Sequence, residues 1–347
     1  MLKHFRISIL FTLACLGIGA WYGWSESGNV AGALRILWIV CVLAVLEISL
    51  SFDNAVVNAS VLEGMDELWR KRFLTWGMLF AVYGMYVFFP LAIVAVAAGI
   101  GPIEAFRISL SNPAQYETIM QHAHPGIAGF GGAFLLLVGL KFFFDSDKDV
   151  HWIKLVEEQL ARFAAVPMLE TVLVLLTLWG VATYLPTETR STYLIAGILG
   201  VITFLMVEAL GKILEHRESK LKAAGAAVRS GLGSFLYLNV LDATFSFDGV
   251  IGAFALSNNM IVIALGLSIG AMFVRTLTLL MVKEGTLAQY RYLEHGAFWA
   301  IIALGVIMLV SAHLDVPDTI TGLVGAVLII ASLLWSIRYR RRHPKQA

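Results

Sequence analysis

Residues 46–54 read "LEISLSFDN" and residues 241–249 read "LDATFSFDG". Each stretch sets two carboxylates, Glu47 with Asp53 and Asp242 with Asp248, inside a strongly apolar run. A shift of 195 residues places Leu46 on Leu241, Glu47 on Asp242 and Ser49 on Thr244, and it places Ser51-Phe52-Asp53 on Ser246-Phe247-Asp248. An Asp at the centre of a spanning helix costs about 2.5–3.5 kcal/mol. Four such acids facing lipid would cost on the order of 10–14 kcal/mol, comparable with the stability of a whole protein. They are expected to face the interior, carry protons or meet a cation.

The surrounding composition sets the class. Of 347 residues, 59% are hydrophobic and 14% charged, more apolar surface than a soluble chain of this length hides, so an all-α polytopic membrane protein is expected. Ten apolar runs are long enough to cross about 30 Å of hydrocarbon. They lie near 7–24, 36–62, 74–100, 126–144, 168–185, 192–211, 232–256, 260–282, 296–313 and 317–337. Alternate connections and tails then carry 20 and 3 of the 25 Lys and Arg residues, with Lys141 and Arg275 inside spans. This asymmetry predicts cytoplasmic termini in the plasma (inner) membrane. The first run could be a signal peptide behind "MLKHFR", but "GAWYGWSESG" sets bulky aromatics where a cleavage site needs small residues, which favours a retained helix. Cys15 and Cys41 are the only cysteines, which excludes a disulfide framework and a clustered thiolate site. The net charge of +1 is spread between spans and gives no footing for nucleic acid.

Each acidic motif opens a group of three spans, and the third span of each group carries "GAF", Gly132–Phe134 and Gly296–Phe298. Five crossings separate the motifs, so the copies run in opposite directions, as in the inverted repeats of secondary transporters. The expected units are an N-terminal helix at 1–33, a first three-span repeat at 34–144, and a cytoplasmic surface helix with two linking spans at 145–231. The inverted second repeat follows at 232–313, and the last span with its basic tail at 314–347.

Glu47, Ser51 and Asn54 share one helical face at i, i+4 and i+7, and Asp242, Ser246 and Gly249 do the same. Asp53 and Asp248 lie off that face, so convergence of all four acids requires each helix to loosen at Ser-Phe-Asp. Gly249 and Gly252 make that easy in the second copy, whereas Ser51 and Asn54 would have to support it in the first. The expected metal ligands are Glu47, Asp53, Asn54, Asp242, Ser246 and Asp248, supported by Ser51, Gly249 and Arg275. Arg275 would either neutralise a carboxylate when the cation is absent or act as a structural counter-ion. An oxygen-only donor set suits manganese, magnesium, calcium, sodium or protons and not copper or zinc. Several carboxylates favour a divalent ion, and a loose site disfavours magnesium, which ranks manganese first and calcium second.

Other features carry less. In the 145–167 connection, Trp152, Val156, Leu160 and Phe163 share a face, predicting a helix on the cytoplasmic membrane surface. "DSDKD" fails as a calcium loop, because Val150 and Val156 stand where Gly and Glu are needed. His122 and His124 read as solvated residues of an outer loop, Glu170 and Glu208 as interfacial carboxylates on the cytoplasmic side, and Lys141 as a snorkelling cation. An intramembrane aspartyl protease would set Gly-x-Gly-Asp before one acid. Ser51-Phe52 and Ser246-Phe247 stand there instead, so no enzyme is expected.

At these motifs the chain resembles the TerC family of integral membrane proteins, named for tellurium resistance, within the LysE-like transporter group. Glu47, Leu50, Ser51, Asp53 and Asn54 fit the family's Glu-x-x-Leu-Ser-x-Asp-Asn pattern, and Asp242, Phe245, Ser246 and Asp248 fit Asp-x-x-Phe-Ser-x-Asp. "GLSIGAMFVRTLTLL" and "YRYLEHGAFWAIIALG" also look like this family, in a less characterised subgroup, over roughly residues 34–336. Where TerC proteins continue with Ser-Ile-Pro-Ala, Gly249, Val250, Ile251 and Gly252 follow here. The resemblance implies a cation exporter with manganese as its substrate and no tightly bound cofactor. Its partners are the metal cation and the lipid bilayer, with an oligomer left open. The competing reading is a non-transporting membrane scaffold in metal or tellurite stress response.

Overall fold

A backbone removed from water must satisfy its own N–H and C=O groups, and a helix does so within one segment. In the computed structural model of the chain the described elements are all helical, and no strand occurs among the described residues. The structure describes residues 5–77, 84, 86–144, 150–163, 166, 168–223, 231–254, 257, 259–285, 289–314, 316 and 318–342. At some helical positions, Asp53 and residues 243–249 among them, it describes the backbone alone.

Helix α1 (Arg6–Ser27) ends at Gly28, whose φ of 66° is left-handed and whose N–H returns to Trp24 O at 2.8 Å. Glycine takes that conformation without a Cβ clash. Asn29 then caps α2 (Val30–Leu50) by accepting the Gly32 N–H at 2.8 Å, so the two helices form a tight hairpin. Helices α3 (Phe52–Glu63) and α4 (Glu67–Arg72) follow, and Phe73–Gly77 and residues 86–88 take the wider π-helical turn. Next come α5 (Phe89–Ala98), α6 (Pro102–Ser111), α7 (Pro113–Phe143), α8 (Lys154–Phe163), α9 (Leu169–Ala182) and α10 (Thr187–Ala223). The chain continues through α11 (Leu232–Phe254), α12 (Met260–Glu284), α13 (Leu293–Ser311) and α14 (Asp318–Arg342).

Among the described residues seven helices are long and apolar enough to cross a membrane: Arg6–Ser27, Val30–Ile48, Ala114–Phe143, Thr187–Leu214, Met260–Glu284, Leu293–Ser311 and Leu323–Arg342. Large side chains such as Trp38, Ile198, Met206 and Leu323 stand exposed on them, the surface of a chain whose solvent is lipid. The protein is an all-helical, multi-pass membrane protein.

Two expected connections are partly helix instead. Helix α7 runs for 31 residues and α10 for 37, both well beyond the 20 or so that span a bilayer. His122 and His124 therefore sit on α7, not in a loop, with Pro125 inside the same helix and His124 Nε2 3.5 Å from Ser311 Oγ. The helix expected within 145–167 is present as α8. The buried residue of α8 is Glu157, whereas Val156 and Phe163 are exposed. Glu157 accepts the N–H groups of Trp152 (2.8 Å) and Ile153 (3.1 Å) and the indole N–H of Trp299 (2.9 Å), which ties α8 to α13.

The buried side chains form two apolar clusters. One holds Val56, Val57 and Leu62 of α3, Phe134 and Leu137 of α7, Leu238 and Leu241 of α11, and much of α13. The other holds Cys15 of α1, Val40 and Leu43 of α2, Tyr116 of α7, Val250 and Ala253 of α11, and Ile263 and Leu267 of α12. Helices α2–α3 pass from the second cluster into the first, and α11 passes from the first into the second. The acidic motifs lie where these two lines of helix cross from one cluster to the other.

Candidate cation site

Glu47, Ser51, Asn54 and Asn58 follow one another at i, i+4, i+7 and i+11, so they continue one helical stripe from α2 into α3. The two helices are separated only at Ser51, with φ of −100° and ψ of 15°. The Ser51 N–H still donates to Glu47 O at 2.9 Å, and the Ala55 N–H donates to Ser51 O at 3.1 Å. The interruption is thus a kink and not an unwound stretch. In the second motif α11 is continuous from Leu232 to Phe254 through Ser246-Phe247-Asp248-Gly249. The expected loosening of both helices, eased by Gly249 and Gly252, is corrected: only the copy without glycine is interrupted. A serine whose hydroxyl turns to a carboxylate one helical turn back explains the position of the kink. Ser51 Oγ donates to Glu47 Oε1 at 2.6 Å.

Glu47 is 2% exposed and Asp242 is 4% exposed. Besides Ser51, the Tyr86 hydroxyl donates to Glu47 Oε1 at 2.8 Å. Asn58 Nδ2 donates to Asp242 Oδ1 at 2.7 Å, and the Asn54 side chain also hydrogen-bonds Asp242. Glu47 lies close enough for the two charges to act on one another. Helix α12 closes over Glu47 with its smallest residues. A Cβ on Gly266 would strike Leu43, and one on Gly270 would strike the Cβ and Cγ of Glu47, so glycine at both positions lets α12 lie against α2.

The structure therefore brings together Glu47, Ser51, Asn54 and Asp242 from the expected set and adds two residues, Asn58 and Tyr86. Continuing the Glu47, Ser51, Asn54 stripe by one turn would have found Asn58. No spacing rule reaches Tyr86, which arrives from a different segment. The side chains of Asp53, Ser246 and Asp248, and Gly249 with them, lie outside the described side chains, though their backbones lie on α3 and α11. Arg275 is half-buried on α12, about one and a half turns beyond Gly270.

The gathered donors are two carboxylates, two hydroxyls and two amides, all oxygen or amide nitrogen. No group of three or more His, Cys, Asp and Glu placed to hold a metal ion occurs among the described residues. Two like charges taken out of water are costly unless a proton or a cation accompanies them. Hard divalent ions match this donor set, and thiophilic ions do not.

A second set of charges sits apart. Lys141 Nζ lies 3.1 Å from Glu208 Oε1 and 3.6 Å from Glu170 Oε1, and Lys212 Nζ lies 2.7 Å from Glu208 Oε1. These pairs join α7, α9 and α10 and neutralise charges that the sequence set at one level. They satisfy each other, apart from the Glu47 and Asp242 site.

No curated protein and no solved structure matches the chain. Residues 52–343, a stretch that takes in Asn54, Asn58, Asp242 and the whole of α12, match the family described as protein of unknown function DUF475, and the chain belongs to that family.

Proposed function

We propose that this protein carries a divalent cation across the plasma membrane, with manganese the preferred ion and Glu47, Asp53, Asn54, Asp242, Ser246 and Asp248 as its ligands. The observation that carries this reading is the burial of Glu47 and Asp242 within electrostatic reach of one another, from motifs 195 residues apart, each bonded by hydroxyl or amide groups.

In this reading the chain crosses the membrane ten times. The seven long helices are joined by the segment from Phe73 to Ala98, by α9 and by α11. The motifs belong to two inverted three-span repeats, and both termini are cytoplasmic. The opposite courses of α2–α3 and α11 between the two apolar clusters support the inversion. Kinship with TerC proteins and the LysE-like group remains part of the same proposal, and export, not import, follows from it alone.

The test is manganese flux into proteoliposomes loaded with a manganese-quenched dye. Wild-type protein is expected to give saturable flux, and Glu47→Gln and Asp242→Asn are each expected to reduce it at least tenfold while the protein still inserts. Normal flux in both variants would make the carboxylates structural and would favour the non-transporting scaffold.

A further inference from the structure

We infer that Asn58 is itself a ligand of the transported cation, through its amide oxygen. The inference rests on the cation-carrier reading above and names a ligand that the acidic motifs do not contain.

Asn58 is 3% exposed. Its Nδ2 donates to Asp242 Oδ1 at 2.7 Å, and its Oδ1 is buried with no hydrogen-bond partner among the described residues. An ionised carboxylate only accepts hydrogen bonds, so the nitrogen of the amide must face Asp242 and the oxygen is left over. A buried acceptor with two lone pairs and no donor costs free energy in any protein, and native interiors rarely retain one without a use. Both polar atoms sit on one planar carbon, so the oxygen is held beside the Asp242 carboxylate and cannot be turned away without losing the bond to it.

A cation beside Asp242 removes the difficulty. It supplies the positive partner that Asn58 Oδ1 lacks, and the amide oxygen adds a ligand without adding a further negative charge to those of the motif carboxylates. Amide and carbonyl oxygens are ordinary ligands of hard divalent ions. The stripe Glu47, Ser51, Asn54, Asn58 then becomes one continuous ladder of oxygen donors across the kink.

The test uses full-length protein purified in detergent, with Cys15 and Cys41 replaced by alanine, and measures manganese and cadmium binding by calorimetry. In Asn58→Cys a direct ligand changes from hard oxygen to soft sulfur, and the longer metal–sulfur bond offsets the shorter side chain. The preference for cadmium over manganese is then expected to rise on the order of tenfold or more relative to the parent. Equal loss of both ions would mean that Asn58 only positions Asp242, and would overturn the inference. The second variant, Asn58→Asp, keeps an oxygen in place and loses the donor to Asp242. Manganese affinity is expected to be kept or tightened, and a fall as deep as that of Asn58→Leu would also overturn it. A parent that binds neither ion would remove the carrier reading itself. Binding in the parent with a uniform loss in the variants would remove only the role of Asn58.

Discussion

At the scale of the residue, the chain separates two kinds of carboxylate removed from water. The partly buried Glu208 and Glu170 are tied to Lys141, so their charge is already compensated. Glu47 and Asp242 are held by hydroxyls and amides that stabilise a charge without cancelling it. The same distinction predicts how substitutions in the motifs behave. Asp53→Asn and Asp248→Asn, each removing a motif carboxylate, are expected to abolish manganese flux, while Glu170→Gln is expected to retain most of it, as read in the same proteoliposomes. Retained flux in either aspartate variant would remove that residue from the ligand set. Much of the site could be read from the sequence because polar residues in an apolar run are few and their helical spacing is regular. Tyr86 could not be read this way, since its bond to Glu47 depends on which segment packs there and not on any spacing.

At the scale of the element, the contact of α12 with α2 fixes the depth of Glu47. Gly270 is pressed against the Glu47 stem, and an added methyl group would meet Ala44 O at 3.0 Å as well. Gly270→Ala is therefore expected to cost about 1–3 kcal/mol by overpacking and to lower cation affinity by displacing the carboxylate. Gly17, on α1, has nothing within 4 Å of the same methyl group. Gly17→Ala is expected to be neutral, or stabilising by about 0.5–1 kcal/mol. Thermal unfolding of the two variants in detergent separates them, and equal midpoints would show that α12 can move aside. The position of the kink eluded the sequence for a related reason. Glycine permits a break but does not require one, whereas Ser51 bonded to Glu47 supplies a local alternative that bends the helix where it stands.

At the scale of the whole molecule, seven of the ten apolar runs fall on the seven long helices among the described residues, because a span needs only length and hydrophobicity to be recognised. The runs underestimated α7 and α10, whose polar extensions beyond the bilayer carry no apolar signal to mark them as helix. Orientation rests on the split of basic residues between alternate connections. A cysteine placed at Ser111, exposed at the end of α6, is expected to react with an impermeant maleimide added to intact cells. One placed at Gln159, exposed on α8, is expected to react only after lysis. The opposite pattern would invert the protein in the membrane.

The two apolar clusters on either side of the polar crossing have one further consequence. Among the described residues, apolar side chains flank the polar stripe along its own line of helix, Val40 and Leu43 before Glu47 and Leu62 and Met65 after Asn58. On the proposed carrier reading, such a molecule would work as an airlock: one door must stay shut while the other parts, and each cycle would move only the ions that fit between them. Electrical recordings from reconstituted protein should then show no unitary openings at any manganese gradient, and flux should level off as the doors' own motion becomes the slow step.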